Sequence, residues 1–220
     1  KPARRRTTRG HRPNAALEAA YRAKIERLVA EMGASVLFWV RAIYRANEPP
    51  TVRMAMDRKT AAEAITAAFA RLRDRWLAKI DDTAPKLARW FATTAARRSD
   101  ATMVRILKDS GMSVPFKMSP AAANIIDAAV AENVALIKSI PQQYLTQVEG
   151  AVMRSVREGR NLSALSRELR EQYGVTKRRA ALIALNQNNM ATSAMTRARQ
   201  AEKGYKAVWV HSHAGKEPRP

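Results

Sequence analysis

The chain has no cysteine. Disulfides, thiolate metal sites and a Cys nucleophile are therefore excluded, and the lack fits assembly in a reducing cytoplasm. Aromatics are scarce at 6%, while apolar residues reach 46%, much of it alanine. That balance suits close-packed helices better than a thick globular core. Acids are also in short supply, with 19 Asp plus Glu against 40 Lys plus Arg and a formal net charge of +21. Long apolar runs are missing: Ala34 to Val40 spans only seven residues before Arg41 interrupts it. A bilayer crossing needs roughly 20, so no membrane segment is expected. There is no initiator Met, and Lys216 to Pro220 does not read as a natural stop, so the expectation is a fragment cut at both ends.

What the chain does have is positive charge and helical periodicity. Lys and Arg gain most by displacing condensed counterions from a phosphate backbone, which makes nucleic acid the first partner to consider and an acidic protein surface the second. Residues 1–13 form a basic arm, with Arg4, Arg5, Arg6, Arg9 and Arg12 and no acid to offset them. Such a segment cannot bury enough apolar surface to fold alone. Its arginines are candidate phosphate contacts.

Residues 14–140 read as a helical body. Asn14 is an N-cap for a stripe of Leu17, Tyr21, Ile25, Leu28 and Met32, after which Gly33 is expected to bend or end the helix. A second piece runs from Ala34 to Ala46 and stops before Pro49 and Pro50. From about Arg58, Ala61, Ile65, Ala68, Leu72, Trp76 and Ile80 form another stripe, and Pro85 is expected to reset it. The next stripe ends at Ser110 and Gly111, and residues 112–118 look extended. Ser119 and Pro120 form an N-cap with a first-turn proline.

Residues 141–204 are expected to hold a new helix started by Pro141, a short helix capped by Asn161 or Ser163 and ended at Gly174, and a long one capped by Thr176 and ended at Gly204. Residues 205–220 read as a strand, Tyr205 to His211, and a loop beginning a small β element. The fold class expected is mainly α: an elongated body of at least six helices, with a C-terminal helical hairpin leading into that element.

The hairpin has the outline of a helix-turn-helix, with Lys177, Arg178 and Arg179 at the start of the second helix as candidate DNA contacts. A structural hairpin gives the same outline, and the second helix is far longer than a recognition helix needs. The four amides Asn186 to Asn189 point around the whole helix circumference, so some must be hydrogen-bonded between helices. His211 and His213 share one face of the strand at a spacing a metal could use, but no third and fourth ligand accompany them, and no metal or cofactor is expected. The acids occur singly or as surface pairs such as Glu168 and Glu171, so no hydrolase or nuclease set appears.

The order of elements over Gly150 to Pro220 resembles the C-terminal region of the phage Mu F-like minor head protein (head morphogenesis) family. The residues that carry the resemblance are the short helix with Leu165, Leu169 and Tyr173, the turn at Gly174, the long helix with Asn186 and Gln187, and the run containing Trp209, His211, His213, Gly215, Lys216 and Arg219. Many relatives have an acidic or Thr-Glu pair where this chain has Asn186 and Gln187. The resemblance implies a non-enzymatic, low-copy virion protein, present in the host cytoplasm during assembly and then inside the head near the portal. Portal protein, major capsid or scaffolding protein and packaged double-stranded DNA are its implied partners. Two alternatives stay open: a free helix-turn-helix-like DNA-binding protein, and an enzyme whose site is completed beyond Pro220.

Overall fold

The computed structural model describes residues 10–46, 58–159 and 161–204, with the side chains of 58–62 left aside. Among these residues the chain is four helices and no strand: α1 Ala15–Ala46, α2 Arg58–Asp109, α3 Pro120–Arg157 and α4 Leu162–Glu202. Every pair of helices touches, most extensively α2 with α3 and α4 with both α1 and α3. Side-chain pairs fix the directions. Tyr21 stacks on Phe91 while Glu31 meets Lys79, so α1 and α2 run antiparallel. Asn133 meets Gln187 while Arg154 meets Glu168, so α3 and α4 do too. The result is an up-down-up-down bundle.

Several boundaries follow their local signals. Asn14 Oδ1 accepts the Leu17 amide at 2.8 Å, Ser119 caps α3 just before Pro120, and Asn161 caps α4. Gly111 and Gly204 take positive φ, 77° and 65°, just past the ends of α2 and α4. These are left-handed positions that favour glycine.

Other expected breaks are absent, and the helices are fewer and longer than the sequence predicts. Gly33 lies inside α1, Pro85 inside α2 and Pro141 inside α3. The expected hairpin at Gly174 to Thr176 is also absent, because α4 runs unbroken through it and Thr176 donates to the Gln172 carbonyl within the helix. The physical reason is packing. An interior proline costs about 3 kcal/mol, whereas each fully buried large apolar side chain returns about 1.5–3 kcal/mol. Ile80, Ala84, Leu87, Ala88 and Phe91 are buried on both sides of Pro85, and Ile137, Ile140, Tyr144 and Leu145 flank Pro141 in the same way.

The core has a middle section around Tyr21, Phe91, Ile137 and Ala184, a section around Val36, Phe69, Leu145 and Leu169, and a small one around Ala96, Ile126 and Met195. Tyr173 packs against the first two. The alanines Ala84, Ala88, Ala180 and Ala184 are wholly buried, which is how an aromatic-poor chain closes its core: small side chains let the helices approach. One helix, α3, is long and apolar enough to cross a membrane by length and composition, with a mean hydropathy of 1.3 over its most apolar stretch. Its Asp127 and Glu132 hide that from a search for unbroken apolar runs. In the bundle it packs on α2 and α4.

Candidate nucleic-acid interface

The cations of the bundle differ in their partners. Several between helices are paired: Lys79 with Glu31 at 2.9 Å, Lys138 with Asp81 at 2.7 Å, Arg73 with Glu149 at 3.3 Å. Those on the outer side of α2 are not. Arg71, Arg75, Arg89, Arg97, Arg105 and Lys108 are exposed and form no ion pair, although Arg75 lies over the Trp39 ring at 5.6 Å. Asp74, Asp81, Asp82 and Asp100 on the same helix are each taken by another cation. At 1.5 Å per residue the row from Arg71 to Lys108 extends about 55 Å, or roughly one and a half turns of B-form DNA. Spacing this irregular suits phosphates and no particular base sequence.

The residues singled out in the sequence are not brought together. Arg4, Arg5, Arg6 and Arg9 lie outside the described residues, as do Trp209, His211, His213, Gly215, Lys216 and Arg219 together with the expected strand. Arg12 is exposed just before α1. Lys177 and Arg178 are exposed but sit mid-helix, and Arg179 is half-buried with Nη2 donating to Ser139 Oγ at 3.0 Å. Three consecutive helical residues point 100° apart, so they form no recognition-helix N-terminus. With no turn at Gly174, the helix-turn-helix outline is not realised in the bundle.

The amide run divides as helical geometry requires. Asn186 and Asn189 are exposed, while Gln187 and Asn188 are buried. Tyr21 Oη donates to Asn133 Oδ1 at 2.7 Å, Asn133 Nδ2 donates to Gln187 Oε1 at 2.8 Å, and Gln187 Nε2 donates to Glu132 at 3.0 Å. Burial pushes the Tyr21 hydroxyl well above its ordinary pKa, so it stays a neutral donor. This chain links α1, α3 and α4, and its amides are neutral groups that supply neither acid nor base.

Arg199 has a role that is not readable from local pattern. It is 1% exposed, yet fully engaged: Nε and Nη2 grip Asp100 at 2.8 and 2.7 Å, and Nη1 reaches Glu202 and the Lys117 carbonyl, both at 2.8 Å. Hydrogen bonding to Asp100 raises its pKa further above an already high value. The clamp holds the connector before α3 against the ends of α2 and α4.

A groove between α3 and α4 is lined by Ile125, Ala128, Ala129, Met190 and Ala194, with Glu132, Asn189, Ser193 and Arg197 among its polar lining, and Leu182 and Leu185 are exposed on α4.

Among curated proteins, one of Haemophilus influenzae described as "Uncharacterized protein" is 29% identical over 202 residues, covering 89% of this chain and 43% of the relative. The chain thus spans less than half the length of that relative. No protein-family profile and no solved structure matches it.

Proposed function

We propose that the chain is a minor head protein of a tailed bacteriophage, non-enzymatic, lying inside the head near the portal, aiding assembly and neutralising packaged double-stranded DNA without reading its sequence. The observation that supports this most is the row of unpaired cations along α2, in a chain whose net charge is +21. The family resemblance over Gly150 to Pro220 supplies the virion setting. In this reading the α3–α4 apolar groove and Leu182 are the contact to portal, major capsid or scaffolding protein, since contiguous exposed apolar surface marks protein contacts.

The test has two arms. Binding to several unrelated duplexes is titrated with salt, and the six α2 cations on phosphates give a slope of log K against log salt near −5, equal across sequences. Arg89→Gln with Arg97→Gln lowers the slope by about 2. A preferred sequence refutes the non-specific reading. In the second arm, portal protein co-purifies with the chain from procapsids, and Leu182→Lys abolishes this while leaving DNA binding intact. Recovery of host factors alone refutes the virion reading.

A further inference from the structure

We infer that the crevice between the C-terminal end of α1 and the N-terminus of α4 is a phosphate-binding site, independent of the α2 surface and of the virion reading. Two short ladders face each other across it. Arg41 and Arg45 lie four residues apart on α1, and Ser163, Ser166 and Arg170 lie three and four apart on α4, so each set shares a helix face. With Leu162 they line one groove of about 320 Å³.

Three features of the groove point to an oxyanion. Arg41, Arg45 and Arg170 have no carboxylate partner, so three like charges converge with nothing to offset them. The start of α4 is only half capped: Asn161 Oδ1 accepts the Ala164 amide and Asn161 O the Leu165 amide, which leaves the Leu162 and Ser163 amides free. Free amides at a long helix N-terminus, with the dipole behind them, favour an anion.

The third feature is Ser166. It is only 6% exposed, lines the groove, and makes no hydrogen bond within the chain. Thr176 bonds back to Gln172 and Thr196 to Thr192, whereas Ser99 and Ser155, like Ser166, find no partner but line no part of this groove. Unlike the Ser99 and Ser155 oxygens, the Ser166 oxygen is not closed off from the groove, so a ligand oxygen seated there can bond to it. Guanidinium forks, two amides and a serine hydroxyl together match the several oxygens of a phosphate. No general base adjoins Ser166, so the site binds and does not transfer the group.

The full chain is titrated calorimetrically with inorganic phosphate at physiological ionic strength. Saturable binding of one phosphate per chain is expected. Arg41→Gln and Arg170→Gln each weaken it about tenfold or more, as for loss of a charge-assisted hydrogen bond. Ser166→Ala, a substitution a helix accepts, weakens it about threefold or more with an unchanged unfolding midpoint. Arg97→Gln on α2 leaves it unchanged. Absence of saturable heat overturns the site, and so does equal weakening by Arg97→Gln, which would mean diffuse charge attraction. Competition identifies the source of the phosphate once binding is seen. Displacement by a 5′-hydroxyl oligonucleotide supports backbone phosphodiesters, displacement only by its 5′-phosphorylated form supports a terminal monoester, and displacement by neither supports a free phosphate.

Discussion

Replacing Arg199 with Met is expected to destabilise the bundle more than any surface change, and the cost can be worked from its partners. Met keeps much of the buried hydrocarbon volume and removes the guanidinium. Four hydrogen bonds, to Asp100 twice, to Glu202 and to the Lys117 carbonyl, are lost together. Removing one partner of a buried ion pair costs about 3–5 kcal/mol. Here the stranded carboxylates are partly rehydrated, since the side chains of Asp100 and Glu202 are 23% and 22% exposed. The lower end, about 3 kcal/mol, is therefore expected, which for a chain of this size lowers the midpoint by roughly 6–12 °C. Asp100→Asn keeps the shape and the Glu202 contact, so it costs less, about 1–2 kcal/mol. Arg199→Lys does not restore stability, because an ammonium cannot grip Asp100 with two parallel bonds. Urea unfolding gives the free energies, and hydrogen exchange reports on residues 112–118, whose Lys117 carbonyl and Phe116 ring lean on the guanidinium. A Met variant within about 1 kcal/mol of the parent, or unchanged exchange in that connector, would refute the reasoning.

Two glycines in helices should respond with opposite signs. A Cβ at Gly33 meets the Tyr173 ring at 2.7 Å, so Gly33→Ala destabilises despite its better helix propensity, whereas at Gly174 the nearest contact is the Arg178 side chain at 3.8 Å and Gly174→Ala stabilises by about 0.5–1 kcal/mol. Loss of stability in Gly174→Ala would restore a turn at that position. Asn133→Ala strands Tyr21 and Gln187 and costs about 2–4 kcal/mol by urea unfolding; a cost below about 1 kcal/mol would mean that the amide chain carries no weight. His11, whose Nδ1 lies 2.7 Å from Thr196 Oγ1, has its pKa lowered from 6.5 by burial. The folded state then binds fewer protons than the unfolded one, so stability falls as pH drops below about 6.5 toward the folded value. His11→Gln should flatten the midpoint over that window, and an unaltered profile would rule out the contribution. Glu31 and Glu202, held below the usual carboxylate range chiefly by hydrogen bonds from Lys79 and from Ser119, add stability that is full above about pH 4.5 and fades as pH falls further.

What was legible in the sequence was whatever one turn of chain decides. Asn14, Ser119 with Pro120, Asn161, Gly111 and Gly204 end helices in the bundle through bonds or dihedrals that involve only near neighbours. Apolar stripes also carried over, because Leu17, Tyr21, Ile25 and Met32 must share a face in any helix. The failures share a cause. Gly33, Pro85, Pro141 and Gly174 are breakers whose local cost is set against packing from helices far along the chain, and no local window contains that packing. Arg199 was invisible for the same reason: Asp100 is 99 positions away, and an arginine between Thr196 and Glu202 reads as solvated surface. The α4 groove was hidden in the same way, since Arg41 and Ser166 become neighbours only when α1 and α4 pack.

The division of charge ties these strands together. Lys79, Lys138, Arg73 and Arg199 each meet a carboxylate on another helix, and for Arg199, which is buried, an unpaired charge would cost more than packing returns. Glu31, Asp81, Asp100, Glu149 and Glu202 are taken up by these cations, and the chain's 19 acids are too few to offset 40 Lys plus Arg elsewhere. The outer face of α2 and the crevice at the start of α4 therefore stay positive, and the fold gains nothing from them. Mutual repulsion there is relieved only by counterions or by a bound polyanion. Charge that folding does not use, kept in two separate places with different geometry, is charge available for binding: an extended row suited to a phosphate backbone, and a compact pocket of forks, amides and a hydroxyl suited to a single phosphate.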